Sequence, residues 1–316
     1  RRAGEAPSAF EPARRGQQQR RMTTVIVNLG SRRSQEQAEQ VRAALAAHAI
    51  AVDDFHLVES PSQLRRLAQR AVRRGCTLLI AGGGDGTMTT IVGELARRET
   101  VLGVIPLGTG NSFAQTLGIP VDVDGAAAVI AAGRSARVDL GLVNRRYFAN
   151  FATVGLAAEI AEQTPRSLKS LLGSVAYVLA GIRPALEQQP FRCELRWDGN
   201  RTRLRTKQLV IASGRVYGHQ AVAPDASIVD AKLTVLTTTG LTHFEVARLY
   251  LAIALGTQHR LPDAHQFTAR ELRVRTWPRQ KISLDGEPLG RTPARFSVVP
   301  GALRVMVPAE FDAAGR

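Results

Sequence analysis

Four times within the first 111 residues a short apolar run gives way to a turn and then to a helical repeat. Val25-Ile26-Val27 ends at Asn28-Leu29-Gly30-Ser31, and Ala38, Val41, Leu45 and His48 follow at helical spacing. Val52 to Val58 precedes a helix over Pro61 to Arg74, with Leu64, Leu67, Ala68 and Ala71 on one face. Thr77 to Ala81 runs into AGGGDGTMTT at 81–90 and a helix that carries Ile91, Val92 and Leu95. Val101 to Ile105 runs into Pro106-Leu107-Gly108-Thr109-Gly110-Asn111 and another helix start. Short apolar strands alternating with longer helices imply a parallel sheet with helices on both faces. Ligands of such sheets sit beyond the carboxyl ends of the strands. The loops at 28–31, 82–87 and 108–111 each follow a strand directly, so they should gather along one edge of the sheet.

The chemistry expected there follows from residue type. Glycines let the backbone approach a ligand and aim N–H groups at it, and a helix beginning near Thr87 adds the positive end of its dipole. That combination suits phosphate. Asp85 is the odd member, because a carboxylate repels phosphate unless a metal ion or a hydroxyl lies between them. A Mg²⁺ held by Asp85 resolves the conflict. The bland alternative is a tight turn with an acid at a helix start, and the second glycine loop, PLGTGNSFA, argues against it. The loop is not a Walker A sequence, since no Lys follows the glycines, and it is out of register with GxGxxG.

After about residue 136 the rhythm changes to strands. The runs are 136–143, 147–153, 192–197, 204–212, 232–236, 272–277, 281–284, 296–299 and 303–307. Helical patterns near 164–188 and 242–258 interrupt them. The second half therefore reads as a largely antiparallel, sandwich-like or barrel-like β domain. Residues 1–21 carry six Arg and two Pro with almost no apolar periodicity, and read as a disordered basic tail. The domain expectation is 22–138 for a Rossmann-type nucleotide-binding α/β unit and 139–299 for a β-rich unit.

The formal net charge of +15 suggests either an anionic partner (nucleic acid, a phosphorylated ligand or an anionic membrane face) or an arginine-rich composition with the excess spread over the surface. No nucleic-acid-binding signature accompanies it. Cys76 and Cys193 form no CxxC and no disulfide framework, which fits a reducing cytoplasm. The histidines show no zinc-ligand spacing. The longest apolar stretch, Leu171 to Ile182, falls short of the roughly 20 residues that span a bilayer.

GGGDGT followed by PLGTGNSFAQTLGIP resembles the diacylglycerol kinase catalytic-domain family, which includes bacterial lipid kinases and sphingosine and ceramide kinases. ARVDLGLVNRRYFANFATVGLAAEI, SLKSLLGSVAYVLAGIRPAL, APDASIVDAKLTV and SLDGE at 283–287 match further family segments in order, over roughly residues 22–308. The resemblance implies an NAD-kinase-like α/β domain and a β-sandwich-like domain with the active site in the cleft between them. It also implies that the segment 300–316 returns to the first domain.

By resemblance the reaction is transfer of the γ-phosphoryl of ATP to a lipid hydroxyl, with Mg²⁺, and with diacylglycerol or a related lipid alcohol as acceptor. Asn28, Gly30, Ser31 and Arg32 would contact the nucleotide from the first loop. Gly83, Gly84, Asp85, Gly86, Thr87, Met88, Thr89 and Thr90 would cradle its phosphates, and Thr109 and Asn111 would line the same pocket. Asp85 would engage the catalytic Mg²⁺, and Glu287 would be the general base for the lipid hydroxyl. Ser227, Asp230 and Lys232 match a second, structural Mg²⁺ site, although Ala231 stands where the family has Gly. Thr89-Thr90 replaces the family's common Asn-Glu, and Ser112 stands in place of an Asp. Asp139 matches an acidic position near the cleft or makes a strand-edge salt bridge.

The helix near 164–188 either packs into the core or admits an acyl chain. The basic strand pair with Arg192, Arg196, Arg201, Arg203, Arg205 and Lys207 either rests on anionic head groups or is a solvated face. The partners expected are ATP, a lipid alcohol and the surface of an anionic membrane, without nucleic acid. A homodimer and a cytoplasmic, peripherally membrane-associated location are compatible with the resemblance. The alternatives are an NAD kinase-like phosphotransferase and a weakly active or non-catalytic nucleotide- or lipid-binding member.

Overall fold

The computed structural model describes residues 22–28, 34–155, 189–217, 220–239 and 261–312, with single positions such as Phe244 and Ala252 between 242 and 252. The helix expected near 164–188 and the tail 1–21 lie outside the described residues, as does most of 242–258.

The first half follows the expected alternation: β1 (Thr23–Asn28), α1 (Ser34–Ala47), β2 (Asp54–Val58), α2 (Pro61–Arg73), β3 (Leu78–Gly83), α3 (Asp85–Leu95) and β4 (Val101–Pro106). Val25 pairs in parallel with Phe55 on one side and Ile80 on the other, and Ile80 pairs with Gly103. Strands β1 and β3 are buried almost throughout, which is why they read as continuous apolar runs rather than alternating ones. Helix α2 starts where Ser60 Oγ accepts the Gln63 N–H at 3.3 Å and Pro61 presets the first turn. Two further helices follow, α4 (Ser112–Thr116) and α5 (Val123–Ala131). The Asp122 carboxylate caps α5 by accepting the Gly125 N–H at 2.7 Å.

The chain then moves between two sheets. β5 (Ser135–Val143) and β6 (Arg146–Phe148) stay in the first sheet, and β7 (Phe151–Gly155) enters the second. The single strand expected over 147–153 is thus broken at Ala149-Asn150, where the backbone switches partners. β8 (Phe191–Trp197) and β9 (Asn200–Thr206) form a hairpin in the first sheet, and β10 (Gln208–Ala212) lies in the second. The run expected over 204–212 is therefore also two strands, with the switch at Lys207. A short ribbon of β11 (Val216–Tyr217) and β12 (Gln220–Ala221) precedes β13 (Leu233–Thr238) and β14 (Ala264–Ala269). β15 (Glu271–Trp277), β16 (Lys281–Leu284), β17 (Glu287–Arg291) and β18 (Ala294–Met306) complete the order.

The first sheet has ten strands, in the order β2-β1-β3-β4-β18-β15-β8-β9, with β5 on β18 and β6 on β5. The second has six, in the order β14-β13-β10-β7-β16-β17. Cys193, Leu195, Leu272 and Val274 of the first sheet pack against Val154, Leu209, Ile211 and Ile282 of the second in one buried cluster, which makes this half a sandwich. Burial pushes the Cys193 thiol up to about 12, so it stays a packed thiol.

Strand β18 joins the halves. Arg304 and Val305 run parallel to Val101 and Leu102 of β4, while Leu272 of β15 faces Phe296 in antiparallel register. The two short strands expected at 296–299 and 303–307 are one strand, irregular between Val299 and Leu303. Asp139 fastens that irregularity. Its Oδ1 accepts the Gly301 N–H at 2.8 Å and its Oδ2 the Ala231 N–H at 2.7 Å. Burial, opposed by these bonds, raises the Asp139 carboxyl above its usual range. Its partners are backbone amides rather than the strand-edge cation considered from the sequence. Among the described residues no helix is long and apolar enough to cross a membrane.

Gly141 on β5 sits directly under the ring of Phe148 on β6, and a Cβ there would fall inside the ring. Gly141→Ala should therefore lower unfolding stability by about 2–3 kcal/mol, read from urea titrations. The penalty should shrink in the Gly141→Ala/Phe148→Ala double variant relative to Phe148→Ala alone.

Candidate active site

The carboxyl ends of β1, β3 and β4 meet at two glycine loops that touch through their backbones. A Cβ on Gly108 would lie 2.6 Å from Gly84 Cα, and one on Gly84 would lie 3.2 Å from Gly108 Cα. The loops close this tightly because Gly108 has no side chain, and Gly84 leaves little room for one. Gly83 is required locally, since a side chain there would collide with Thr87. Thr87 is itself buried, and its Oγ1 accepts a hydrogen bond from Asn28 Nδ2 at 2.9 Å, which ties the end of β1 to the first turn of α3. Gly30, Ser31 and Arg32, expected beside Asn28, lie outside the described residues.

The second loop is shaped by Asn111, at φ 48°. Its Oδ1 accepts the Gly108 N–H at 2.9 Å, and its Nδ2 donates to the Gly108 carbonyl at 2.7 Å. This amide folds the loop back on itself and holds Gly108 against Gly84. Thr109 stands within the same loop. The Met88 side chain is buried in the core of the α/β half, so only its backbone belongs to the loop region. A cleft of about 700 Å³ opens beside the loop, bounded by Pro106, Leu107 and Gly108 and, across from them, Ala44, Ala47 and Val123.

Asp85 opens helix α3. Its Oδ2 accepts a hydrogen bond from Ser112 Oγ at 3.2 Å, while its buried Oδ1 has no hydrogen-bond partner. Burial raises this carboxyl above its usual range, and hydrogen bonds from Ser112, Phe113 and Asn111 pull the other way. A buried carboxylate oxygen left open is a position for a cation or a donor hydroxyl, so the residues present fit the Mg²⁺ expected from the sequence. Ser112, where the sequence comparison anticipated a second acid, instead donates to the first.

The side opposite comes from the sandwich half. Asp285 and Gly286, at φ 46° and 86°, form the two-residue turn between β16 and β17, with Leu284 paired to Glu287. Both positive φ angles mark the type I′ hairpin that Asp-Gly favours. The turn is anchored by the Asp285 side chain. Oδ1 accepts the N–H groups of Asn150 at 3.1 Å and Phe151 at 2.8 Å. Oδ2 accepts the Ala149 N–H at 3.2 Å and the Thr89 hydroxyl of α3 at 3.1 Å. Asp285 thus satisfies the backbone freed where β6 breaks from β7 and binds that break to α3. Burial, with a smaller push from the Asp85 charge, raises its carboxyl to about 6 against the hydrogen bonds that lower it.

The consequence is the placement of Glu287. Its exposed carboxylate lies over the start of α3, with Oε1 3.9 Å from where a Cβ on Gly86 would stand. Glu287 and Asp85 are therefore on neighbouring parts of one helix end, although 202 positions apart in the chain. Thr90 folds back onto its own helix, its Oγ1 donating to the Gly86 carbonyl at 3.0 Å. Ser227, Asp230 and Lys232 share one turn, in which the Asp230 Oδ1 accepts the Lys232 N–H at 3.0 Å and Ser227 Oγ accepts the Val229 N–H at 3.3 Å. Ala231 stands there at φ 57°, where the family's glycine would be unstrained. Among the described residues no group of three His, Cys, Asp or Glu side chains could hold a metal.

Sequence reasoning missed Asp285. It took the Glu of SLDGE as functional and passed over the Asp, though Asp-Gly between two strand runs is itself a hairpin signal.

Residues 22–143 match the family model described as the diacylglycerol kinase catalytic domain, and residues 150–307 match the YegS C-terminal NAD kinase beta sandwich-like domain. A diacylglycerol kinase of Staphylococcus aureus is 31% identical over 232 residues, which is 72% of this chain and 74% of that protein. The chain belongs to the diacylglycerol kinase catalytic-domain family. Solved structures agree on the fold. One from Bacillus anthracis superposes with a TM-score of 0.79 at 22% identity, covering 98% of this chain and 99% of that one. A diacylglycerol kinase from the same organism gives 0.75 at 23% identity, covering 92% and 98%. Membership in this diacylglycerol kinase family supports a lipid kinase.

In this family member the raised Asp285 carboxyl has a measurable signature. The folded state holds that proton more tightly than the unfolded state, so its contribution to stability falls as pH rises from roughly 4 to about 6 and is constant above. Asp285→Asn should remove that slope, leaving the difference in urea stability between wild type and variant pH-dependent only in this window. An unchanged slope in the variant would contradict the assignment.

Proposed function

We propose that the protein transfers the γ-phosphoryl group of ATP to the hydroxyl of diacylglycerol or a closely related lipid alcohol. The observation that carries this reading is the meeting of Glu287 with the start of α3, beside the open oxygen of Asp85.

In this reading the loops built on Gly83, Gly84 and Gly86 and on Gly108 to Asn111 present backbone to the phosphates at the positive end of α3. The cleft beside Pro106 to Gly108 has the volume to take the nucleoside end. Asp85 is the residue that would hold Mg²⁺ through Oδ1. The ion, when bound, supplies neutralisation of phosphate charge. Ser112 fixes the other Asp85 oxygen, so the carboxylate points one way. Glu287, exposed over the start of α3, accepts the proton of the lipid hydroxyl. A carboxylate suffices for that task where bond formation to phosphorus is far advanced before the proton leaves. Asp285 acts through Glu287 by holding its hairpin. Asn28 acts through Thr87 by bracing the first turn of α3. The turn holding Ser227, Asp230 and Lys232 is proposed as the second, structural cation position, resting on the Asp230 carboxylate, and no step depends on it.

A membrane-resident acceptor requires the enzyme to work at a lipid surface, so we include peripheral association with an anionic membrane in the proposal.

Incubation with γ-labelled ATP, Mg²⁺ and dispersed diacylglycerol should give labelled lipid. Glu287→Ala should lower kcat by about 10²–10⁴-fold with little change in stability. Asp85→Asn should lower it by about 10³-fold while leaving the protein as stable as wild type or more so, because the variant no longer buries a charge. ATP binding without transfer to any lipid alcohol in the wild-type protein would overturn the reading.

A further inference from the structure

The outer face of the sandwich half of the first sheet is a ladder of arginines. The inner face of β8, β9, β15 and β18 carries Phe191, Leu195, Leu272, Val274 and Phe296 into the core, so the alternate residues point outward. Register aligns them in rungs. Arg205 lies opposite Arg192, which lies opposite Trp277. Arg203 lies opposite Glu194, which lies opposite Arg275. Arg201, Arg196, Arg273 and Arg295 form a third rung across four strands. Eight arginines stand against Glu194 and, one step further along β15, Glu271, an excess of six positive charges on one sheet face. Lys207, grouped with these residues from sequence, is buried at the switch between sheets and is not part of the face.

Several of these contacts work against folding. Arg192 with Arg205, Arg196 with Arg201, Arg196 with Arg273 and Arg273 with Arg295 are like charges directly opposite one another, an arrangement that destabilises a sheet. Glu194 relieves one part. It is buried beneath Arg201 at 2.6 Å and Arg203 and Arg196 at 2.8 Å, and these guanidinium groups hold its carboxyl down to about 2. Arg295 also reaches Glu271 at 2.6 Å. The remaining excess faces solvent. At the end of β15, Trp277 is 53% exposed, opposite Arg192 in the rung that Arg205 completes. An exposed indole beside a flat cationic surface matches the level of lipid head groups, where Trp is enriched.

We propose that this arginine face docks the protein on an anionic bilayer, with Trp277 entering the head-group region. The choice of a bilayer as occupant rests on the lipid-kinase reading; the face itself does not. Phosphate-bearing head groups relieve the opposed arginines that the fold leaves uncompensated. The surface is a place for the enzyme to sit and is separate from the residues assigned to the chemistry.

The test is co-sedimentation with vesicles of phosphatidylcholine alone and of phosphatidylcholine with phosphatidylglycerol, over a range of NaCl. The wild-type protein should bind only the anionic vesicles and should release as salt rises. The triple variant Arg205→Gln/Arg273→Gln/Arg275→Gln, which leaves the guanidiniums on Glu194 in place, should bind them about 100-fold more weakly. A second reading avoids any question of the triple variant's folding. Trp197→Phe leaves Trp277 as the only tryptophan, and its emission should shift to the blue on anionic vesicles. Equal vesicle binding by the triple variant and wild type, or no blue shift, would overturn the proposal. So would loss of RNA oligonucleotide binding in the triple variant with vesicle binding intact, which would assign the face to nucleic acid. Transfer of label to detergent-dispersed diacylglycerol, measured alongside, reports on the lipid-kinase reading separately, since it needs no bilayer.

Discussion

One buried carboxylate holds the site together. Asp285 takes up three backbone N–H groups left without sheet partners where the chain steps from β6 to β7, and it reaches the hydroxyl of Thr89 in α3. The first set of bonds closes a backbone break inside the protein, where an unpaired amide is costly. The last bond joins the sandwich to helix α3, which follows the first glycine loop. Desolvation of Asp285 opposes this arrangement, and its hydrogen-bond donors offset it only in part. With the hairpin fixed in this way, Glu287 has one place to be, over Gly86.

The two glycine loops answer a similar demand from the other side. Their contact is backbone on backbone, so a side chain on Gly108 would collide with Gly84, and the amide of Asn111 keeps the second loop closed. The departures from the usual family pattern are absorbed rather than left open. Ser112 donates to Asp85 instead of competing with it for a cation. Thr89, in place of the family's Asn, meets Asp285 with a hydroxyl donor, and Thr90, in place of the Glu, donates to the Gly86 carbonyl.

Much of this was legible in the sequence. The parallel half announced itself because β1, β3 and β4 are buried on both faces and each ends in a glycine or asparagine turn. Asp85 was legible for a chemical reason, as the one acid in a loop suited to phosphate. What escaped was whatever depends on pairing between distant segments. The runs at 147–153 and 204–212 read as single strands, since nothing local records that their two ends hydrogen-bond in different sheets. The role of Asp285 is invisible without knowing that Ala149, Asn150 and Phe151 offer their amides to it. Asn111 was read as a pocket residue, and that its amide also shapes the loop could not be seen from the sequence. The arginines of β15 and β18 gained meaning only when register laid them beside those of β8 and β9.

Strand β18 carries a consequence for how the protein comes into being. It is the last strand of the described chain, yet it lies in the middle of the first sheet, between β4 and β15. On the ribosome the α/β half emerges first, and β4 then has one bonded edge, on β3, and one bare edge. A bare, apolar strand edge invites pairing with another chain. The nascent protein must keep that edge shielded until some two hundred further residues have been made, and only the arrival of β18 closes the sheet on which both glycine loops stand.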